Sequence, residues 1–355
     1  FFRLFDADGK RRFPARMKTA YRRQGPCLTE VTYAGCSAGG KIEHRATVSL
    51  YRTNDVVRGI YRLRMDVKEP VAFQRLVLFQ VGADTYNYTG ERKVALGNET
   101  GPVREWATQW GGNTYRTPPM ECAGRVPWIS LHEAVSRDRS KAGAWANRGI
   151  VIRRWEARLG GKPALPWAAE HGVRPGGADS SVVDIVPPPD VKRLLPGDTV
   201  EATFEHVILP QYARDYYGPN AGLRAALAKD ENTWRLVARE AAGNDLQVRA
   251  SRGVVEATYP VRIRADQDRA EFEIAGGLGY VPVTLAGLSG YRRPVLEVQE
   301  GGGPWRAVDQ SVHGNDFWQA DRDAAAGTWE ITYTLPLDSP GDARQTRRFR
   351  FRLER

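Results

Sequence analysis

The sequence predicts an all-β protein: a large antiparallel β-sandwich with a short helical insert, followed by a smaller immunoglobulin-like β-sandwich. Three observations predict it. Apolar and polar residues alternate with period two along most of the chain, as strands with one face on a core require. Only 219–242 carries strong helix punctuation. Beyond residue 250, short strand-like runs recur between Gly, Asp and Ser over roughly the 100 residues of an immunoglobulin-like sandwich.

The alternation is clearest at 57–67. Val57, Gly59, Tyr61, Leu63, Met65 and Val67 fall on one face, and Arg58, Arg62, Arg64 and Asp66 on the other. That is an antiparallel strand covering a core on one side only. Strands are also expected at 44–52, 71–82, 150–159 and 199–209, with 71–82 apolar on both faces and therefore central. At 219–242, Pro219 and Asn220 lead into Leu223, Ala226, Leu227, Trp234, Leu236 and Val237, and Gly243-Asn244 closes the segment. Pro near the start and Gly past the end are helix boundaries; a break near Asp230–Asn232 splits the segment in two. A weaker helix is expected at 129–137. Later strands are expected at 254–264, 269–275, 280–288, 294–299, 328–337 and 346–353. The chain divides into 1–250, the substrate domain, and 251–355, a supporting domain.

A chain of 355 residues exceeds one ordinary core. No apolar run approaches a membrane span. The chain opens on Phe1-Phe2-Arg3-Leu4-Phe5, as expected of a trimmed product that has lost a signal peptide. With an extracytoplasmic location expected, Cys27 and Cys36 are placed to pair across a hairpin or to remain free thiols. The formal charge of +10 is spread along the chain without a basic helix. It suits an anionic glycan better than nucleic acid.

The densest polar and aromatic region is 84–133, a long irregular stretch of the kind that carries sites on a rigid sandwich. Its candidate sugar-binding residues are Tyr86, Tyr88, Trp106, Trp110, Asn113 and Arg116, joined by Arg62 from the charged strand face. Aromatic rings stack on the apolar faces of sugars, and Arg or Asn holds hydroxyls and carboxylates. Candidates for proton transfer are Tyr115, His206, Glu105, Glu121 and His132. A lyase needs a base that removes the proton beside a uronate carboxylate, with a cation or amide to neutralise that carboxylate. Asn113, Tyr115 and Arg116 supply such a set. A glycosidase needs two carboxylates flanking one bond, which Glu99, Glu105, Glu121 and Glu133 could provide.

Of the other histidines, His44 falls on the apolar side of its strand, His171 in an exposed loop, and His313 at an interdomain turn. No His or Cys pair has zinc spacing, and no metal or cofactor is expected. The nearest metal pattern is Asp6-Ala7-Asp8-Gly9, which begins like a calcium loop and reads as a turn; Asp321 and Asp323 are a minor surface alternative. Nucleotide-dependent and α/β-hydrolase chemistry are not expected. Asp215-Tyr216-Tyr217-Gly218-Pro219-Asn220 is read as a subsite wall or as packing that pins the helix.

Leu195-Pro196-Gly197-Asp198-Thr199-Val200-Glu201-Ala202, Leu209-Pro210 and Tyr216-Tyr217-Gly218-Pro219-Asn220, with the small terminal sandwich, resemble the β-sandwich (supersandwich) domains of bacterial polysaccharide lyases and related carbohydrate-active enzymes. The resemblance implies secretion, a cleft over a concave sheet and an oligosaccharide substrate. The leading expectation is a protein that cleaves an acidic polysaccharide by β-elimination or hydrolysis. The alternatives are a glycoside hydrolase on a neutral glycan and a non-catalytic glycan-binding or structural sandwich.

Overall fold

The computed structural model describes residues 1–53, 55–83, 88–89, 93–107, 118–132, 135–136, 147–171, 181–210, 213–228, 234–308, 318–337 and 344–354. Its centre is one large antiparallel sheet. In spatial order its strands are Gly101–Ala107, Lys93–Asn98, Trp128–His132, Asn147–Leu159, Thr199–Leu209, Val57–Val67, Ile42–Tyr51, Leu28–Ser37 and Ala15–Gln24, with Lys162–Pro163 appended to Asn147–Leu159. Two four-stranded sheets, built around Val71–Val77 and Phe79–Ala83, cover one face. The main core lies between, with Leu63, Met65, Ile129, Ile152 and Phe204 from the large sheet meeting Phe73, Phe79, Val183 and Ile185. Phe79 stacks on Phe204 at 4.7 Å.

The opposite face carries helices α1 (Ala221–Ala228) and α2 (Trp234–Gly243) at one end. Leu223, Leu227, Leu236 and Val237 bury Ala95, Trp128, Val151 and Val207 beneath them. Asn220 caps α1: its Oδ1 accepts the Leu223 N–H at 2.7 Å, as an N-cap residue should. The Tyr216 hydroxyl accepts the Asn220 N–H at 3.0 Å. Tyr216 is therefore packing that fixes the helix, while Tyr217 is exposed.

Strands from Gln247 onward pair only among themselves, in two five-stranded sheets with one core. This C-terminal sandwich sits on the same face as the helices. The meeting point is a buried ionic cluster. Arg58 donates to Glu240 of α2 at 2.6 Å and to Asp55 at 2.5 Å, and also reaches the Leu278 carbonyl at 3.4 Å. Arg153 donates from Nε to Glu205 at 2.9 Å and from a terminal guanidinium nitrogen to the Ala241 carbonyl at the end of α2 at 2.9 Å. The Tyr259 hydroxyl donates to Glu205 at 2.8 Å. Burial pushes the Asp55 and Glu205 carboxyls above their usual range despite the arginines. At Glu240 burial acts in the same direction, but Arg58 and Arg153 outweigh it and hold the carboxyl low.

Several elements differ from the sequence reading. The 129–137 helix is instead a strand, Trp128–His132, buried at every residue between two neighbours. Flanked on both faces, it has no solvent side to impose a helical or an alternating pattern. The 71–82 run breaks at Leu78, where the chain passes from one small sheet to the other and Val77, Leu78 and Phe79 are all buried. The 254–264 run is a hairpin, Val254–Thr258 and Val261–Arg264, turning at Tyr259-Pro260. On 57–67 the charged face is open only at Arg62 and Arg64, because Arg58 and Ile60 lie under α2 and the C-terminal sandwich. Cys27 and Cys36 are both buried and form no disulfide with each other. The segment between them is a strand, not a hairpin, which separates their backbones by roughly 30 Å.

Truncating Arg58 to Met leaves Asp55 and Glu240 buried without their cation. A loss of about 3–5 kcal/mol in urea denaturation is expected; a loss below about 1 kcal/mol would show that the cluster does not hold the two parts together.

Candidate functional site

At one end of the large sheet, Lys93, Ala107, His132, Asn147 and Leu209 begin or end five strands, and Ala83, His171 and Ser181 do the same in the small sheet. Register places these ends together: Lys93 opposes both Ala107 and His132, Asn147 opposes Leu209, and Ser181 opposes Ala83. Sandwiches carry sites where strand ends converge.

Two of the expected proton-transfer residues meet here. Glu105 lies on the edge strand Gly101–Ala107 and His132 two strands inward. Glu105 opposes Ala95, which opposes Ser130, so alternation puts Glu105 and His132 on one face of the sheet. Their side chains hydrogen-bond, His132 Nε2 to Glu105 Oε1, at 2.8 Å. The His132 side chain is fully buried, whereas that of Glu105 is 36% exposed. The carboxylate is thus the group that solvent reaches, and the imidazole fixes it from behind. Lys93, opposite His132, is on the same face.

Trp106 alternates to the other face, where its indole donates to buried Glu170 at 2.9 Å. Arg104 lies over its ring at 5.7 Å. Trp106 is half-buried against the main core, so it anchors the edge strand as well as flanking the site. Glu170 was not anticipated; its only sequence signal is a carboxylate beside His171 in the run Trp167–His171. Lys93 was missed because one Lys opening a strand carries no pattern.

The remaining candidates separate. Glu121 is exposed on the short strand Met120–Glu121, paired to Trp167–His171 of the small sheet. His206 points into the space between the sheets, 6.4 Å from Tyr61, and its Nε2 finds no hydrogen-bond partner among the described residues. Arg62 lies three strands from His132, bonded to Glu30 and Ser49 at 3.3 Å each. It lines a crevice of about 770 Å³ under the C-terminal sandwich, together with Arg23, Arg154, Arg262, Glu256 and Glu330. Tyr86, Trp110, Asn113, Tyr115, Arg116 and His313 lie outside the described residues. So does the side chain of Tyr88, whose strand Tyr88–Thr89 pairs Val135–Ser136. His171 ends a strand and is not in a loop.

The other polar motifs serve the framework. Asp6 Oδ1 accepts the Asp8 and Lys10 amides at 3.1 and 2.8 Å, which makes that segment a turn. Asp323 accepts the Ala325 and Ala326 amides, and Asp321 accepts from Gln319. Among the described residues no group of three or more His, Cys, Asp and Glu could hold a metal ion. Asp198 closes the Leu195–Asp198 turn, accepting backbone N–H groups of Gly160, Gly161 and Leu195 at 2.7–2.9 Å. A Gly-x-Ser-x-Gly spacing does occur at Gly35-Cys36-Ser37-Ala38-Gly39. It ends an antiparallel strand, Leu28–Ser37, with Ser37 in extended backbone and no α-helix following, so it is not a nucleophile elbow. Ser37 Oγ is 3.1 Å from His44 Nε2, and His44 stacks on Phe2 at 4.9 Å.

No protein-family model matches the chain, and no curated protein matches it. Among solved structures, it is similar to an alpha-galactosidase from Lactobacillus brevis, with 10% identity and a TM-score of 0.35 over 60% of this chain and 29% of that one. It is similar to a putative aldose 1-epimerase from Klebsiella pneumoniae, with 14% identity and a TM-score of 0.28 over 61% and 58%. A polysaccharide lyase aligns with 98% of this chain and 38% of its own, at 12% identity and a TM-score of 0.23. The chain spans 29–33% of the length of the galactosidases it matches.

Burial, aided by the Arg148 charge, lowers His206 from 6.5 to about 4. A folded value below the unfolded one means that the neutral ring stabilises the fold above pH 6.5, and that this contribution fades as pH falls toward 4. His206→Phe should therefore abolish an acid-side loss of up to about 3 kcal/mol, read from urea midpoints between neutral and acid pH. An unchanged pH profile would contradict this placement.

Proposed function

We propose that the chain is a carbohydrate-active protein that cleaves an acidic polysaccharide by β-elimination, acting outside the cytoplasm, with Glu105 as the base. The observation that carries this reading is the Glu105–His132 hydrogen bond at the end of the sandwich where the strand ends converge. Donating from Nε2, the His132 ring aims the Glu105 carboxylate from a position that is itself buried and immobile. A carboxylate fixed in this way is a general base. It takes the proton beside the uronate carboxylate, the electron pair of that C–H bond becomes the new double bond, and the C–O bond breaks with its pair on the leaving sugar oxygen, which takes a proton from water. Lys93, on the same face, supplies a positive charge to a substrate carboxylate, which makes that proton more acidic. The arrangement favours elimination over two-carboxylate hydrolysis. Glu170, the other carboxylate described at this edge, bonds to Trp106 on the opposite face of the sheet.

The test is a panel of acidic and neutral polysaccharides, read by ultraviolet absorbance of unsaturated ends and by new reducing ends. Both signals should rise on an acidic polymer. Glu105→Gln should lower kcat about a hundredfold or more with little change in KM. His132→Gln should lower kcat less and shift the pH–rate profile, as expected of a positioning residue. Reducing ends without unsaturated product would replace elimination by hydrolysis. Binding without either product would make the protein a glycan binder.

A further inference from the structure

The outer hairpin of the large sheet, at the far side from Glu105, carries an unusual charge distribution. Residues 10–24 hold seven Lys and Arg and no Asp or Glu. The strand Ala15–Gln24 is exposed at every position but Arg23. Beside it runs a groove of about 500 Å³, lined by Arg16, Lys18, Arg45 and Arg64 with Glu43 and Asp66. Both acids are already engaged: Asp66 pairs with Arg64 at 2.8 Å and Glu43 with Lys68 at 3.1 Å. Arg16, Lys18 and Arg45 have no ion-pair partner among the described residues.

Register arranges these charges in a row. Lys18 opposes Ala34, Ala34 opposes Arg45, and Arg45 opposes Arg64. Neighbouring strands are about 4.8 Å apart, so the row presents cations at steps of roughly 5–10 Å across the strands, with Ala34 leaving a flat floor. Arg45 directly opposite Arg64 is a like-charge pair, a cost that Asp66 and Glu201 beside Arg64 offset in part. Arg16 adds a second cost. It sits at a register shift between Ala15 and Lys18 with φ of 54°, a conformation that favours glycine. Strain kept under a cation that faces a groove points to a use for that cation.

We propose that this groove binds the acidic polysaccharide along its length, as an anchoring site separate from the Glu105–His132 pair. The two lie at opposite edges of one sheet, on the order of 40 Å apart across its strands, and the substrate class rests on the reading given above. A polysaccharide fits better than nucleic acid. No Phe, Tyr or Trp lines the groove to stack bases, and the one ring among its lining residues, His44, is buried and stacked on Phe2. Main-chain pairing with another strand is not the use of this edge, because two register shifts interrupt it.

The test is calorimetric binding of polygalacturonate and chondroitin sulfate at several salt concentrations, with duplex DNA and phosphatidylserine vesicles as competitors. The native chain should bind an acidic glycan with an affinity that falls with salt. The combined variant Arg16→Ser, Lys18→Ser, Arg45→Ser should bind it roughly tenfold to a hundredfold more weakly. Arg16→Gly should melt no lower than the native chain and still bind more weakly, which separates binding from folding. Glu105→Gln should bind as the native chain does. Equal binding by the triple variant, no binding of either glycan by the native chain, or preference for DNA or vesicles would overturn the proposal. If Glu105→Gln stays active while the triple variant loses binding, the reading of Glu105 fails and the anchoring site stands.

Discussion

Arg58 is the side chain on which the arrangement of the molecule depends. It leaves a central strand of the large sheet, is buried, and touches three separate parts of the chain: Asp55 before its own strand, Glu240 on α2, and the Leu278 carbonyl in the C-terminal sandwich. Arg153 and Glu205 extend the cluster sideways to Tyr259 and to the end of α2. Such a cluster adds little net stability over apolar packing of the same volume. It penalises every docking that separates its members, and so fixes where the helices and the second sandwich sit on the sheet.

That placement divides one sheet face into three zones. Helices cover the end near the converging strand ends, up to the row that contains Trp128 and Val151. The C-terminal sandwich covers the middle and bridges back to the sheet through ion pairs of Arg23 with Glu30 and Glu330. The last zone, with Lys18, Arg45 and Arg64, stays open. Glu105 escapes cover because its strand is the outermost one, beyond the helices. The functional reading follows from what is left uncovered: a carboxylate aimed by a buried imidazole at one edge, and unpaired cations at the other.

Much of this was legible in the sequence because period-two alternation reports burial directly. Leu63, Met65 and Val67, or Val200, Ala202 and Phe204, could be assigned to a core face without coordinates. The reading failed where burial was two-sided. Trp128–His132 and the stretch through Leu78 carry no alternation, and Arg58 reads as a solvent residue although its charge is neutralised by Glu240, 182 positions away. The pairing of Glu105 with His132 was legible only as two candidates in one region. Their meeting depends on a strand, Lys93–Asn98, that lies between them in the sheet and not between them in the chain. Arg62 was grouped with them through its charge alone, and register moves it to the crevice beneath the second sandwich.

The central claim is that an acidic sugar is processed at the Glu105 edge. A crystal structure of Glu105→Gln grown with an acidic oligosaccharide tests it most directly. The account predicts a sugar ring within hydrogen-bond reach of the residue 105 side chain, with its carboxylate toward Lys93. Sugar bound elsewhere, with the Glu105–His132 edge empty at saturating ligand, would contradict it.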